Sequence, residues 1–328
     1  MIKHTAFLFP GQGSQSQGML LDMVAQEAVV RTCFEQASDV LGYGMLALIA
    51  NNPDGRLNQT EYTQAVLLTA STALFRLWQQ RKGITPYCVA GHSLGEYSAL
   101  VAAGSLAFSD AVALVAYRGQ VMNAALPVGM GKMVAVLNLT RDVVHGICKE
   151  ASNDQHQVWL ANDNCPGQLV IAGHVAAVDR AMLACKAAKA RRVLPLSVSV
   201  PSHTPLMQPA ADAMAIKLQE TIMHRPKYPL WRNVDARPTC DVETIRNGLV
   251  NQLTSPVQWT DCIRKMLASG VTSAVEMGAG KVLTGLVRRI DKTIPVYPVH
   301  SPELLLQAID ATHLSHSYSS NPLEINDE

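Results

Sequence analysis

The stretch Gly91-His92-Ser93-Leu94-Gly95 places a hydroxyl nucleophile between glycines two positions before and two positions after it. This is the G-x-S-x-G pattern of a nucleophile elbow, where a serine on a sharp strand-to-helix turn exposes its oxygen for acyl transfer. The required context is present: "YCVAG" ahead of the serine reads as a strand, and "LGEYSALVAAG" after it reads as a helix. Side chains at 91 and 95 would collide across such a turn, which accounts for glycine at both. The N-terminus of the helix offers unpaired backbone N–H groups and the positive end of its dipole, so the Leu94 N–H can receive an oxyanion. The pentapeptide alone also fits an ordinary turn in which Ser93 caps the helix.

Three further residues bear on that choice. The apolar run "TAFLF" leads into "PGQGSQSQG", where Ser16 stands in place of the third glycine of a dinucleotide fingerprint. In a parallel sheet this loop and the elbow both lie at carboxyl ends of strands, where ligands bind, and Gln12 then supplies a second oxyanion donor. Of ten histidines, His203 in "SVSVPSHTPLM" lies between a strand and a helix started by Pro205. It is the candidate base, although a histidine that caps a turn fits the same position. His92 adjoins the nucleophile and is expected to pack locally. Asp235, Asp241 and Asp261 leave the third member of a triad open, since a backbone carbonyl orients an imidazole equally well. On "DAVALVAYRGQVMNAA", Arg118 has Leu114, Val115, Val121 and Met122 three and four residues away, which turns its guanidinium onto the apolar face. A buried charge needs a partner. It is either an acid of the chain, such as Glu96, or a substrate carboxylate gripped by the two-pronged guanidinium.

The elements that must position these residues alternate along the chain. Apolar runs ("TAFLF", "YCVAG", "SAVEM", "PVYPV") alternate with stretches of helical period at 62–80, 94–104, 109–125 and 205–223, the pattern of an α/β protein with a largely parallel sheet. Between 131 and 199 the order becomes strand, helix, strand, strand, helix, strand, as in a ferredoxin-like unit. The sequence thus predicts a large domain over 1–130 plus 200–308, an inserted small domain over 131–199, a cleft between them, and a polar tail over 309–328.

Composition removes several function classes. The net charge of +1 provides no field for nucleic acid, and no apolar run approaches a membrane span. The opening "MIKHTAFLFPGQG" carries no signal-peptide core, so a cytoplasmic protein is expected. Seven scattered cysteines contain no CxxC pair and read as reduced core fillers. No metal-binding cluster appears, and "GAGK" at 278–281 lacks the remainder of a phosphate loop.

Taken together, "FLFPGQGSQ", "GHSLGEYSAL", "YRGQVM", "ANDNCPGQLVIAG", "VSVPSHTPLM", "QLTSPVQW" and "EMGAGKVLTGLVRRI" resemble the malonyl-CoA:acyl carrier protein transacylases and their polyketide acyltransferase relatives, over about residues 5 to 308. The resemblance implies an α/β-hydrolase-like large domain with a ferredoxin-like insert. It implies Ser93 as the acylated nucleophile, His203 as its base, the Gln12 and Leu94 amides as the oxyanion hole, and Arg118 as the malonyl carboxylate site. It implies that the main-chain carbonyl of Gln252 orients the histidine and that Asn162 faces the cleft. It also implies malonyl-CoA and an acyl carrier protein as substrates, no bound cofactor, a monomer, and a role in fatty acid synthesis. Ala279 stands where the family often has proline, and Ser202 is similar to malonyl-selective members. Other readings of the same elbow are a trans-acting polyketide acyltransferase, a malonyl-transfer subunit of malonate decarboxylase, a serine esterase, and a non-catalytic acyl- or carrier-binding domain.

Overall fold

The computed structural model describes residues 4–197 and 200–317. Its strands are β1 (His4–Phe9), β2 (Cys88–Gly91), β3 (Gly131–Leu137), β4 (Val158–Cys165), β5 (Gln168–His174), β6 (Arg192–Pro195), β7 (Leu230–Trp231), β8 (Pro238–Thr239), β9 (Val271–Glu276) and β10 (Val296–Pro298). Six of them form a sheet in the order β10-β9-β1-β2-β7-β8, parallel except for the antiparallel edge pair β7 and β8.

Both faces of this sheet are covered, which is why its strands are apolar at successive positions rather than alternate ones. Phe7, Phe9, Val89, Leu230 and Val275 enter a core shared with the helices Ala28–Leu41, Thr60–Gln80 and Phe108–Ala124. There the Phe7 ring stands edge-on to Phe75 and Trp78, with centroids 6.1 and 5.4 Å away. Ala6, Leu8, Ala90, Trp231 and Ala274 enter a second core beneath the helices Trp259–Ala268 and Val282–Ile290.

The remaining four strands form a separate antiparallel sheet in the order β4-β5-β3-β6. Val134, Val136, Leu160, Leu169 and Ile171 of this sheet pack against the helices Arg141–Ala151 and Val175–Ala187. Met133, Ala161, Val170 and Ala172 form a separate cluster, of which Met133 and Val170 line the cavity at Ser93. The small sheet is tied to the segment before helix Trp259–Ala268, where Asn162 bridges to Val257, with the Asp163 N–H on the Val257 carbonyl and the Val257 N–H on the Ala161 carbonyl, each at 2.9 Å.

Two expectations change. The last strand of the small unit stops at Pro195, short of the 199 at which the sequence ends that unit, and residues 198–199 lie outside the described residues. Helix Pro302–Ser317 continues through the first part of the expected tail, because Leu305, Ala308, Ile309 and Thr312 are buried at helical spacing. The tail therefore does not begin at 309, and residues 318–328 lie outside the described residues. Among the described residues no helix is long and apolar enough to cross a membrane.

Candidate active site

The two glycine-bearing loops meet because β1 and β2 are parallel neighbours, with Phe9 in register with Gly91 and the Phe9 carbonyl accepting the His92 N–H at 2.9 Å. The chain then turns so sharply that Ser93 takes a φ of 52°, a left-handed conformation unfavourable for a side-chain-bearing residue. The flanking glycines are required by contact. A Cβ at Gly91 would sit 1.8 Å from the Gly95 carbonyl carbon, and one at Gly95 would sit 2.0 Å from the Phe9 oxygen. Asn233 holds the strained turn from outside it. Its Oδ1 accepts the Ser93 N–H and its Nδ2 donates to the Gly91 carbonyl, both at 2.7 Å.

Ser93 Oγ lies 2.9 Å from His203 Nε2. His203 Nδ1 donates to the main-chain carbonyl of Gln252 at 2.7 Å, which fixes the tautomer and leaves Nε2 as the acceptor for the serine proton. His203 is 4% exposed. Burial pushes its pKa down to about 3; the Arg118 charge and His92 act in the same direction, and the Gln252 carbonyl opposes them. The imidazole is therefore a neutral base across the physiological range.

Arg118 is 1% exposed. Its Nη1 donates to Gln64 Oε1 at 2.7 Å, its Nη2 donates to Gln252 Oε1 at 2.9 Å and Ser93 Oγ at 3.3 Å, and its guanidinium lies 5.5 Å from the Tyr97 ring centroid. Among the described residues no carboxylate reaches ion-pairing distance of it. Glu96, the expected internal partner, is separated from it by the Gln252 side chain, whose Nε2 donates to Glu96 Oε2 at 2.8 Å and to the Ser93 carbonyl at 3.0 Å. The other Glu96 oxygen accepts the Asn233 N–H. Burial pushes Glu96 up to about 8, against the Asn233 N–H, the Arg118 charge and Gln252, which all draw it down. A buried cation whose direct partners are neutral oxygens has no counter-charge in contact with it, and an acidic ligand supplies one.

Ser93, Leu94, Arg118, Gln12, Asn162 and His203 all line one cavity of about 150 Å³. Within the described residues neither the Gln12 nor the Leu94 N–H is taken up by another group of the chain. An adjoining hollow of about 430 Å³ shares Met122 with this cavity and runs past Thr60, Asn123 and Val200. All seven site residues singled out in the sequence are thus brought together here. The three aspartates left open are elsewhere: Asp235 pairs with Arg232, Asp241 caps the helix that begins at Val242, and Asp261 pairs with Arg141. His92 does not pack only locally, as expected. Its Nε2 lies 2.7 Å from Asn164 Oδ1 in the small sheet, and its ring tilts over Trp259.

Sequence reasoning missed Gln64, Asn233 and Asn164. Gln64 left one signal, an amide inside the otherwise apolar helical run "TQAVLLTA". Asn233 left none, because it lies in a loop 140 residues from the serine it holds.

Comparison with known proteins bears on what this cavity does. The profile of the family described as "Acyl transferase domain" matches residues 6–302. The chain is 49% identical over 305 residues to the malonyl CoA-acyl carrier protein transacylase of Escherichia coli, covering 93% of this chain and 98% of that one. It is similar to the solved malonyl CoA-acyl carrier protein transacylase of Coxiella burnetii, with a TM-score of 0.92, 44% identity, and coverage of 94% and 98%. It is similar, with a TM-score of 0.92, 45% identity and coverage of 94% and 100%, to a chain in the structure of a type II PKS acyl-carrier protein in complex with its malonyl-transacylase.

Proposed function

This chain belongs to the acyl transferase domain family, and from that premise we propose how its cavity moves a malonyl group from malonyl-CoA to an acyl carrier protein for fatty acid synthesis. The chain is an acyltransferase, with malonyl-CoA and the carrier protein as its substrates. The observation that carries the malonyl reading is the buried Arg118, whose hydrogen-bond partners are neutral oxygens around Ser93.

Ser93 is the nucleophile and His203 the base. As Ser93 Oγ attacks the thioester carbonyl, its proton passes to His203 Nε2, and the oxyanion rests on the Gln12 and Leu94 N–H groups. The C–S bond breaks, the CoA sulfur takes the proton back from His203, and a malonyl-serine ester remains. The carrier's phosphopantetheine thiol then gives its proton to His203 and attacks the ester, and Ser93 leaves with that proton. Gln252 orients His203 through a neutral carbonyl, so no second carboxylate competes with malonate for Arg118. The malonyl carboxylate has a second effect: by offsetting the Arg118 charge it raises the basicity of His203 when the substrate is bound. Asn162 borders the acyl group from the small sheet, and the adjoining hollow accommodates the thioester arm. Malonyl-CoA enters as a substrate, and the chemistry calls for no resident cofactor.

The finer architecture belongs to the same proposal. The strand order β4-β5-β3-β6 with its two covering helices supports a ferredoxin-like small domain over 131–199. The parallel sheet with a serine elbow after β2 supports an α/β-hydrolase-like large domain over 1–130 plus 200–308. A cytoplasmic monomer is the expected state.

Two predictions arise here. With His203 neutral down to about 3, kcat/KM for malonyl transfer is expected to stay level between about pH 5 and pH 7. An ordinary histidine would lose about 25-fold over that interval as its proton returned. A stopped-flow pH profile checks this, and a limb centred on the ordinary histidine value contradicts the neutral-base assignment.

The second concerns docking of the acidic carrier on exposed cations: Lys186, Lys189, Arg191 and Arg192 of the small unit, or Lys281, just before helix Val282–Ile290, with Arg288 and Arg289 in it. Arg191, Arg192 and Arg289 line one hollow of about 430 Å³, which supports a shared surface. Reversing Arg191 and Arg192 to glutamate is expected to raise the carrier KM about tenfold at low salt and to flatten its salt dependence, with malonyl-CoA self-acylation unchanged. Unaltered carrier kinetics would remove this surface from consideration.

A further inference from the structure

Gln252 has two separate tasks at the site. Its main-chain carbonyl holds His203, while its side-chain amide lies between Arg118 and Glu96. An amide has one accepting end and one donating end. Here Oε1 accepts from Arg118 Nη2 at 2.9 Å, and Nε2 donates to Glu96 Oε2 at 2.8 Å and to the Ser93 carbonyl at 3.0 Å. A half-turn of the amide would press N–H groups against the guanidinium and an oxygen against both a carboxylate and a carbonyl, so all three contacts would become repulsive.

Glu96 is what forbids that half-turn. It stands in the first turn of helix Gly95–Ala102, directly after the elbow, and is 1% exposed. Its Oε1 accepts the Asn233 N–H and its Oε2 accepts the Gln252 Nε2–H, so neither oxygen faces an acceptor for a proton of its own; these N–H groups and the Arg118 charge favour the ionised form against burial, and that form offers only acceptance to Gln252. Resting on the malonyl reading above, we propose that Glu96 is a specificity-determining positioning residue: it fixes the Gln252 amide and thereby supplies the oxygen that holds Arg118 Nη2 beside Ser93 Oγ, ready for an acyl carboxylate. A neutral acyl group makes no use of this relay. The same carboxylate anchors Asn233, whose side chain holds the Ser93 N–H, so selectivity and nucleophile geometry share one buried anion.

The discriminating variant is Glu96→Gln. With its own oxygen kept on the Asn233 N–H, the new amide turns an N–H toward Gln252 and favours the turned Gln252, whose N–H groups then face Arg118. Single-turnover self-acylation of the full-length enzyme is measured with malonyl-CoA and with acetyl-CoA. The malonyl-to-acetyl rate ratio is expected to fall about tenfold in Glu96→Gln, and the same substitution in an Arg118→Ala background is expected to change the ratio no further. A ratio within about twofold of the unsubstituted enzyme, or an equal additional fall in the Arg118→Ala background, overturns the proposal. Should Glu96→Gln not yield folded protein, Gln252→Leu keeps the main-chain carbonyl on His203 and removes the relay. It must show the same fall in ratio, and an unchanged ratio again overturns the proposal. Absence of malonylation in the unsubstituted enzyme is a different failure, because it removes the malonyl reading itself.

Discussion

Ser93→Ala is expected to abolish the malonyl adduct that intact-mass spectrometry detects after the enzyme is mixed with malonyl-CoA, and to lower transfer to the carrier by about 10⁴-fold or more. The size follows from the mechanism. Oxyanion donors and substrate binding survive the substitution, but no covalent intermediate can form, and direct attack by the carrier thiol would require both bulky substrates in a cavity of about 150 Å³ at once. The fold should tolerate the change, because Asn233 grips the backbone of residue 93 rather than its side chain. An adduct of undiminished yield in Ser93→Ala would place the acyl group on another residue and sink the proposed chemistry. No adduct in the unsubstituted enzyme would leave a carrier- or acyl-binding domain as the better reading.

Arg118→Ala is expected to lower malonyl self-acylation by about 10²- to 10³-fold, the scale on which removal of one partner from a buried charge pair is felt. Acetyl-CoA should not suffer equally, because a neutral acyl group gains nothing from the guanidinium and the vacated volume is apolar on the Met122 side. The malonyl-to-acetyl preference, measured by competing the two thioesters for Ser93, is therefore the decisive readout. A general esterase has no use for a cation with this burial. If Arg118→Ala retains the malonyl preference, the guanidinium serves only the packing of Gln64 and Gln252, whose amide oxygens it now satisfies.

In the proposed chemistry water competes for the malonyl-serine ester, and the small size of the cavity favours its exclusion by volume. The nucleophile opens into a small cavity closed on one side by the antiparallel sheet, through Met133, Asn162 and Val170. In the proposed chemistry an acyl group held by Arg118 would fill much of that space, and a thiol arm entering from the adjoining hollow would meet the ester in a restricted geometry.

The elbow was legible in the sequence because its cause is local. Gly91 and Gly95 are glycines for contacts made within one turn of chain and with the adjoining strand end, and the strand and helix around them carry their own periodicities. The burial of Arg118 was legible for the same reason, since helical spacing alone put it among Leu114, Val115 and Met122. The helices Val242–Thr254, Trp259–Ala268 and Val282–Ile290 were not assigned from the sequence, nor was the helical course of residues 309–317. In the latter the buried positions are Ile309 and Thr312, and a buried threonine leaves no apolar signal in the sequence.

The sequence by itself determined a serine on a glycine-flanked turn, a cation on an apolar helix face, and an inserted unit of four strands and two helices. Only the tertiary structure decided what Arg118 meets: Gln64, Gln252 and Ser93 rather than Glu96, with Gln252 as the relay between anion and cation. The physical reason is that hydrogen bonds between side-chain amides carry no period and no composition bias. Contacts such as Ser93 with His203, Asn233 and Gln252, separated by 110, 140 and 159 residues, exist only once β1, β2 and β7 have been laid side by side.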